Sequence, residues 1–345
     1  MMRSDTQSDR HPGPPPCQRP ECERSAHFRT GYVRRLEHDP MDVPPIAAEP
    51  EPSGIATDGF RFFFGASCGS SRKTLRQLQE PNVMLSYGTR DREPWTEIET
   101  LMIDSGGYSL LAKGEGKYPD KIADYLEFVE RSGADYYVTR DVPTADSVLQ
   151  TLDRGVSEAI ARTVELSVET LAQTRERDLD AEPMAVLQGT TSQEYVSCYH
   201  ELVAADAITG RLAIGSLKPH TTAEVVDIVT TVRGAIDADT ETSGEIELHG
   251  LGVDVPVLSH AGVRRALSSA DSSRYISTAR WRANREETPP RLRDDEPRTG
   301  WYEVLRAYLD MREDLRHALD PDRPASSVEV VESRTTQTTI TEVEG

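Results

Sequence analysis

Cysteine is scarce in this chain: Cys17, Cys22, Cys68 and Cys198 are the only four in 345 residues. Thiols so few and so scattered exclude a disulfide framework and fit a reducing compartment. Cys17 and Cys22, with His11 and His27 nearby, are spaced too loosely for a structural zinc site, and no metal is expected. No run of 18 apolar residues occurs, which excludes a membrane-spanning helix, and no signal-peptide pattern is present. A soluble, cytoplasmic protein is the expectation.

Lysine is also rare. Lys73, Lys113, Lys117, Lys121 and Lys218 are the only five, so 34 of the 39 basic residues are arginine, set against 59 acidic ones for a net charge of −20. Such a surface suits a salt-rich, halophilic cytoplasm, where acidic groups keep the chain hydrated and the Debye length shrinks to about 3 Å near 1 M salt. Screening removes long-range steering of either sign. An acidic balance therefore does not exclude nucleic acid as a partner, and local arginine contacts decide instead.

Ten of the 22 prolines fall in residues 1–55, without sustained periodicity, and this segment reads as a disordered tail. The acidic, threonine-rich residues 323–345 read as a second one. Between them, residues 56–322 form the expected folded domain.

Within that domain short apolar runs alternate with helical stripes. Strands are expected at Phe60 to Phe64, Val83 to Tyr87, Leu101 to Ile103, Asp135 to Thr139, Met184 to Leu187, Arg211 to Ile214, Glu245 to Leu248 and Asp271 to Thr278. Helices are expected at Arg72 to Gln79, Pro119 to Ser132, Ala145 to Arg177, Gln193 to Ala205, Thr222 to Ile236 and Val257 to Leu267. That order gives an α/β fold with a parallel sheet, and the strand number favours a closed TIM (β/α)8 barrel over an open sheet. The eighth strand is the least defined: Phe60 to Phe64 supplies it, or it lies after Thr278.

The stretch from Leu101 to Leu110 concentrates the chemistry. A buried strand ends there in Asp104, Ser105, Gly106, Gly107 and Tyr108: a carboxylate, a hydroxyl, two glycines that let the backbone approach a ligand, and a ring on which a base can stack. Asp141, Gln188 with Gly189, Gly215 with Ser216, His249 with Gly250, and Asp271 likewise sit at or just past strand C-termini. Each alone is as well explained by a cap or a turn. A barrel, however, collects these ends on one rim, the rim where such folds place their active sites.

These motifs carry a resemblance. Asp104-Ser105-Gly106-Gly107-Tyr108, Gln188-Gly189, Ala213-Ile214-Gly215-Ser216 and His249-Gly250-Leu251-Gly252 follow the order of motifs in the tRNA-guanine transglycosylase family, over roughly residues 82–285. The resemblance implies a barrel that exchanges guanine in a polynucleotide for a 7-deazaguanine through a covalent aspartyl-sugar link, with no cofactor. Asp104 would then be the general acid/base and Tyr108 the ring beneath the base. Asp141 would read the guanine N1 and exocyclic amine, and Gln188 with the backbone of Gly215 and Ser216 its carbonyl edge. His249 stands where the family places an apolar stacking residue. Asp271 is the expected nucleophile, although alignment on Arg280 puts Arg274 in that position instead.

The chain departs from the tRNA enzymes in having no cysteine after Cys198, so neither a zinc subdomain nor an added tRNA-binding module is expected. This resembles the short DpdA-type enzymes that insert 7-deazaguanines, such as 7-cyano-7-deazaguanine, into DNA. DNA is therefore the expected partner, with tRNA as an alternative substrate and with a homodimer or helper proteins of a DNA-modification system in view. Arg274, Arg280, Trp281, Arg282 and Arg285, followed by Arg291 and Arg293, form a basic and aromatic cluster suited to phosphates and a stacked base. A barrel that binds nucleic acid or a purine without catalysis is the reading from another class.

Overall fold

The computed structural model describes residues 56–57, 60–89, 95, 98–113, 116–240, 245–283 and 301–320. The expected tails at 1–55 and 323–345, the Cys17 and Cys22 pair, and Arg285, Arg291 and Arg293 lie outside the described residues. Nine strands and eleven α-helices follow in the described part: β1 (Ala56–Thr57), β2 (Phe60–Ala66), α1 (Gly69–Gln77), β3 (Asn82–Ser86), β4 (Thr100–Asp104), α2 (Gly107–Lys113), α3 (Ile122–Ser132), β5 (Tyr136–Val138), α4 (Asp146–Leu152), α5 (Val156–Arg177) and β6 (Glu182–Leu187). Then come α6 (Ser192–Ala204), β7 (Arg211–Ile214), α7 (Thr222–Ala238), β8 (Glu247–Gly250), α8 (Val255–Leu258), α9 (Ala261–Ala266), β9 (Ser269–Ser272), α10 (Arg274–Ala283) and α11 (Trp301–Leu319).

Strands β2 to β9 pair in parallel with their sequence neighbours, and β9 pairs in parallel with β2, closing an eight-stranded barrel. The two residues of β1 add an antiparallel edge to β2. Phe60–Ala66 is thus the eighth strand, and Phe63 lies in register with Asp271. No helix among the described residues is long and apolar enough to cross a membrane.

Side chains alternate along each strand between the inside of the barrel and the helical layer. Phe63, Met84, Met102, Val138, Met184, Val186 and Ala213 fill the inside as a dry plug. Their neighbours Phe62, Phe64, Leu101, Ile103, Ala185 and Leu187 belong to the larger outer core under the helices. Both faces are buried, which is why these strands read as continuous apolar runs.

Three elements differ from expectation. The region 145–177 is two helices, divided where Asp153 takes a left-handed conformation (φ 50°). The strand expected at Asp271 to Thr278 lies earlier, at Ser269–Ser272, so Asp271 stands near its C-terminal end, and the β-branched and aromatic run after it is the start of α10. Tyr275, Ile276 and Ala279 bury one helical stripe, and the Tyr275 hydroxyl donates to the Gly65 carbonyl at 2.9 Å, so packing overrides strand propensity. Helix α11 is additional. Its buried Val304, Tyr308, Met311, Leu315 and Leu319 repeat at helical spacing, and it packs on α10 and α1 over the closing seam.

At that seam Phe64 meets Tyr308 at 4.7 Å and Tyr275 at 6.1 Å between ring centres. Phe64→Ala is expected to cost about 3–5 kcal/mol, seen as a lower urea midpoint with unchanged slope. A loss below about 1 kcal/mol would show that closure does not rest on this ring.

Candidate active site

One step along each strand above the apolar plug, the inward positions change character. Gly65, Ser86, Asp104, Gln188, Gly215, Leu251 and Asp271 lie two residues past Phe63, Met84, Met102, Val186, Ala213, His249 and Ser269, and all seven line one cleft of about 590 Å³. Asp141 and Tyr108 complete its wall. The strand period of two, applied to eight parallel strands, therefore gathers polar groups from across the sequence at one mouth.

Asp104 and Asp271 face this same cleft. Asp104 shows part of its surface there and is enclosed elsewhere, and burial pushes its carboxyl up to about 7. The charges of Asp141 and Asp271 push the same way, while the Ser86 hydroxyl and the Gly106 amide offset part of the shift. Asp271 is buried and accepts from the Gly252 amide at 2.9 Å.

Asp141 is the most tightly held of the three. Its two oxygens accept from the Ser105 hydroxyl at 2.8 Å and the Gln188 side-chain amide at 2.7 Å. Burial raises its carboxyl to about 6, and these bonds limit the rise. Gln188 lies flat against Gly215, where a Cβ would stand 2.4 Å from its amide nitrogen. Gly106 has φ 75°, and a Cβ there would meet the Gly88 backbone nitrogen at 2.4 Å. The glycines are thus required by close approach of this chain to itself.

Tyr108 sits on the first turn of α2 at the cleft lip and is 54% exposed, a free ring face beside Ser147. Ser216, at φ 54°, accepts from the Thr144 amide at 3.0 Å. The Gly215 amide is already bonded to the Leu187 carbonyl at 3.0 Å, so it cannot read a ligand as expected. Ser105 is fully buried behind the wall. Gly189 is packed against Tyr195, and Gly250 against Val253.

His249 is corrected most. It is fully buried, edge-on to Phe63, with Nδ1 2.9 Å from the Ser269 hydroxyl. The alternation puts it one layer below the cleft, so it cannot stack on a ligand, and Leu251, two residues on, holds the wall position. His249 Nε2 instead lies 3.4 Å from Asp271 Oδ1.

Arg274 opens α10 away from the cleft lining and pairs with Asp254, which removes it as a rival to Asp271. Arg282 pairs with Asp310 at 2.6 Å, while Arg280 and Trp281 are exposed on the same helix. Ser86, Asp146, Ser147, Lys218 and Leu251 are wall residues that sequence reasoning passed over. Ser86 carried the same signal as Asp104, a polar end to a buried strand. Lys218 was marked only by its rarity, and nothing local marked Asp146 or Ser147.

A carboxyl that holds a proton near neutrality and a second carboxylate anchored by a backbone amide can between them move a proton and attack a carbon. No protein-family model matches this chain, and no curated protein aligns with it significantly.

Between the ordinary carboxylate value of 3.8 and about 7 the folded protein holds a proton on Asp104 that the unfolded chain releases, so folding stability falls as pH rises through that window. Asp104→Asn is expected to be more stable than the parent at pH 8, by about 1–3 kcal/mol, with the gain shrinking as pH falls toward 4. Urea unfolding across pH checks this, and a pH-independent difference would contradict it.

Proposed function

We propose that this protein is a base-exchange transglycosylase that replaces guanine in DNA with a 7-deazaguanine. The observation that carries the reading is the placement of Asp104 and Asp271 on one base-sized cleft, beside the coupled Asp141 and Gln188 pair. The motif order Asp104 to Tyr108, Gln188, Ser216 and Asp271 supports it.

The target nucleotide leaves its stack, at a cost of a few kcal/mol, and its base enters the cleft against Tyr108 and Leu251. Asp141, ionised above its value of about 6, accepts from the guanine N1–H and exocyclic amine. Each of its oxygens keeps a lone pair beyond the Ser105 and Gln188 bonds. The second hydrogen of the Gln188 amide and the Ser216 amide face the carbonyl edge.

Asp271 attacks the sugar C1′ as the glycosidic bond breaks, through an oxocarbenium-like state. Asp104, whose carboxyl is raised to about 7, gives its proton to the departing base. The incoming 7-deazaguanine returns a proton to the Asp104 carboxylate and attacks C1′, releasing Asp271. His249, fixed by Ser269 beneath Asp271, keeps that carboxylate aimed. Lys218, on the same wall, faces the phosphate beside the extruded nucleotide.

Radiolabelled guanine is expected to enter duplex DNA in the presence of the protein. Label in tRNA alone would overturn the choice of polynucleotide, and label in neither would leave a purine-binding barrel without exchange activity. Denaturing electrophoresis should reveal a DNA adduct that Asp271→Ala abolishes, and an adduct that survives this change would remove Asp271 as nucleophile. Because the first step needs Asp104 protonated, the rate of adduct formation should fall about tenfold per pH unit above about 7. A rate that rises through that range would sink the assignment of Asp104 as acid.

A further inference from the structure

The segment Arg140-Asp141-Val142 has two sides. Asp141 faces the barrel mouth, whereas Arg140 and Val142 line a separate cavity of about 600 Å³ between residues 116–123, α4 and α5. Its charge is opposite to that of the protein. Lys117, Lys121, Arg140, Arg154 and Arg162 line it with a single carboxylate, Glu169; Arg162 is satisfied by Glu169 at 3.0 Å and by Glu165 at 2.8 Å, which leaves the other four to set the charge. Two of the five lysines in a chain of net charge −20 stand here.

Arg140 is buried, at 3% exposure, and makes no ion pair among the described residues; the Asp120 carboxylate acts on it from beyond that distance. Its terminal nitrogens donate to the carbonyls of Asp120 at 2.7 Å and Lys121 at 2.9 Å, and its plane lies over the Tyr118 ring at 4.5 Å. Its Nε has no hydrogen-bond partner among the described residues. The Asp120 carboxylate is near enough to favour its charge without forming an ion pair, and carbonyl contacts fix its place without neutralising it, so the guanidinium stays only partly compensated. Lys117, Lys121 and Arg154 are exposed and take part in no ion pair among the described residues. Here they converge on one concavity.

We propose that this cavity binds a phosphate group, carried either by the polynucleotide backbone or by a free small molecule. Arginine forks and lysine ammonium groups suit phosphate oxygens, and the buried Arg140 supplies a fixed positive floor under a mobile cationic rim. The site stands whether or not the barrel mouth exchanges bases, since it uses none of the same side chains.

The full chain and its Lys117→Glu/Lys121→Glu/Arg154→Glu variant are titrated with a short fluorescein-labelled single-stranded oligodeoxynucleotide, by anisotropy, and with pyrophosphate, by calorimetry, at two salt concentrations. All three residues are exposed, so the urea midpoint should hold. The glutamine triple variant repeats the test without reversing charge. Expected is binding by the parent chain and at least tenfold weaker binding by both variants, with the salt slope reduced by about two to three. A loss confined to the oligonucleotide assigns the phosphate to the backbone, and one confined to pyrophosphate assigns it to a free ligand. Parent-level binding of both probes by the variants, or no binding of either by the parent, overturns the proposal.

Discussion

The parallel pairing of Phe60–Ala66 with Ser269–Ser272 is the constraint on which everything else in the barrel rests. Until those strands meet, Asp271 stands at the free edge of a sheet whose other edge is 200 residues away in sequence. Once they meet, register sets Asp271 beside Phe63 and the rim closes around Asp104 and Asp141. The aromatic contacts of Phe64 with Tyr275 and Tyr308 lock the seam from outside, where burial of three large rings outweighs the entropy of so distant a closure.

Closure also creates the electrostatic tension of the cleft. Asp104, Asp141 and Asp271 cannot all carry full charge cheaply in one partly dry mouth, and the structure treats each differently. Asp141 has two neutral donors and Asp271 a backbone amide, while Asp104 is raised by burial and by the charges of the other two beyond what Ser86 and Gly106 offset. Burial raises both Asp104 and Asp141, so this mouth holds a proton closer to neutrality than an exposed carboxyl would.

Across the backbone of Arg140-Asp141-Val142 the sign reverses. The acidic mouth and the basic cavity are back to back, joined by Tyr118, whose hydroxyl donates to the Asp141 carbonyl at 2.7 Å while its ring supports the Arg140 guanidinium. A surface rich in acid thus retains two local sites whose charges are set by the residues they gather and not by the net charge of the chain.

Alternation of apolar runs and helical stripes in the sequence was sufficient for the parallel barrel, because strands buried on both faces must be continuously apolar. The same rule placed Asp104, Asp141, Gln188 and Asp271 at strand ends, and the structure brings those four to one cleft. It misjudged His249, since an offset of two residues along a strand decides whether an inward side chain lies in the mouth or in the plug, and strand ends are not legible to that accuracy. It also misread Tyr275 to Thr278, whose local preference for strand yields to a buried helical stripe. The basic cavity was invisible for another reason: Lys117, Arg140, Arg154 and Arg162 are scattered over separate elements, and only the packing of those elements brings them together. Local order of apolar and polar residues was enough to mark most strands and helices and the faces they bury. Tertiary structure alone decided which of its charges became neighbours, because that depends on the closure of the barrel and not on distance along the chain.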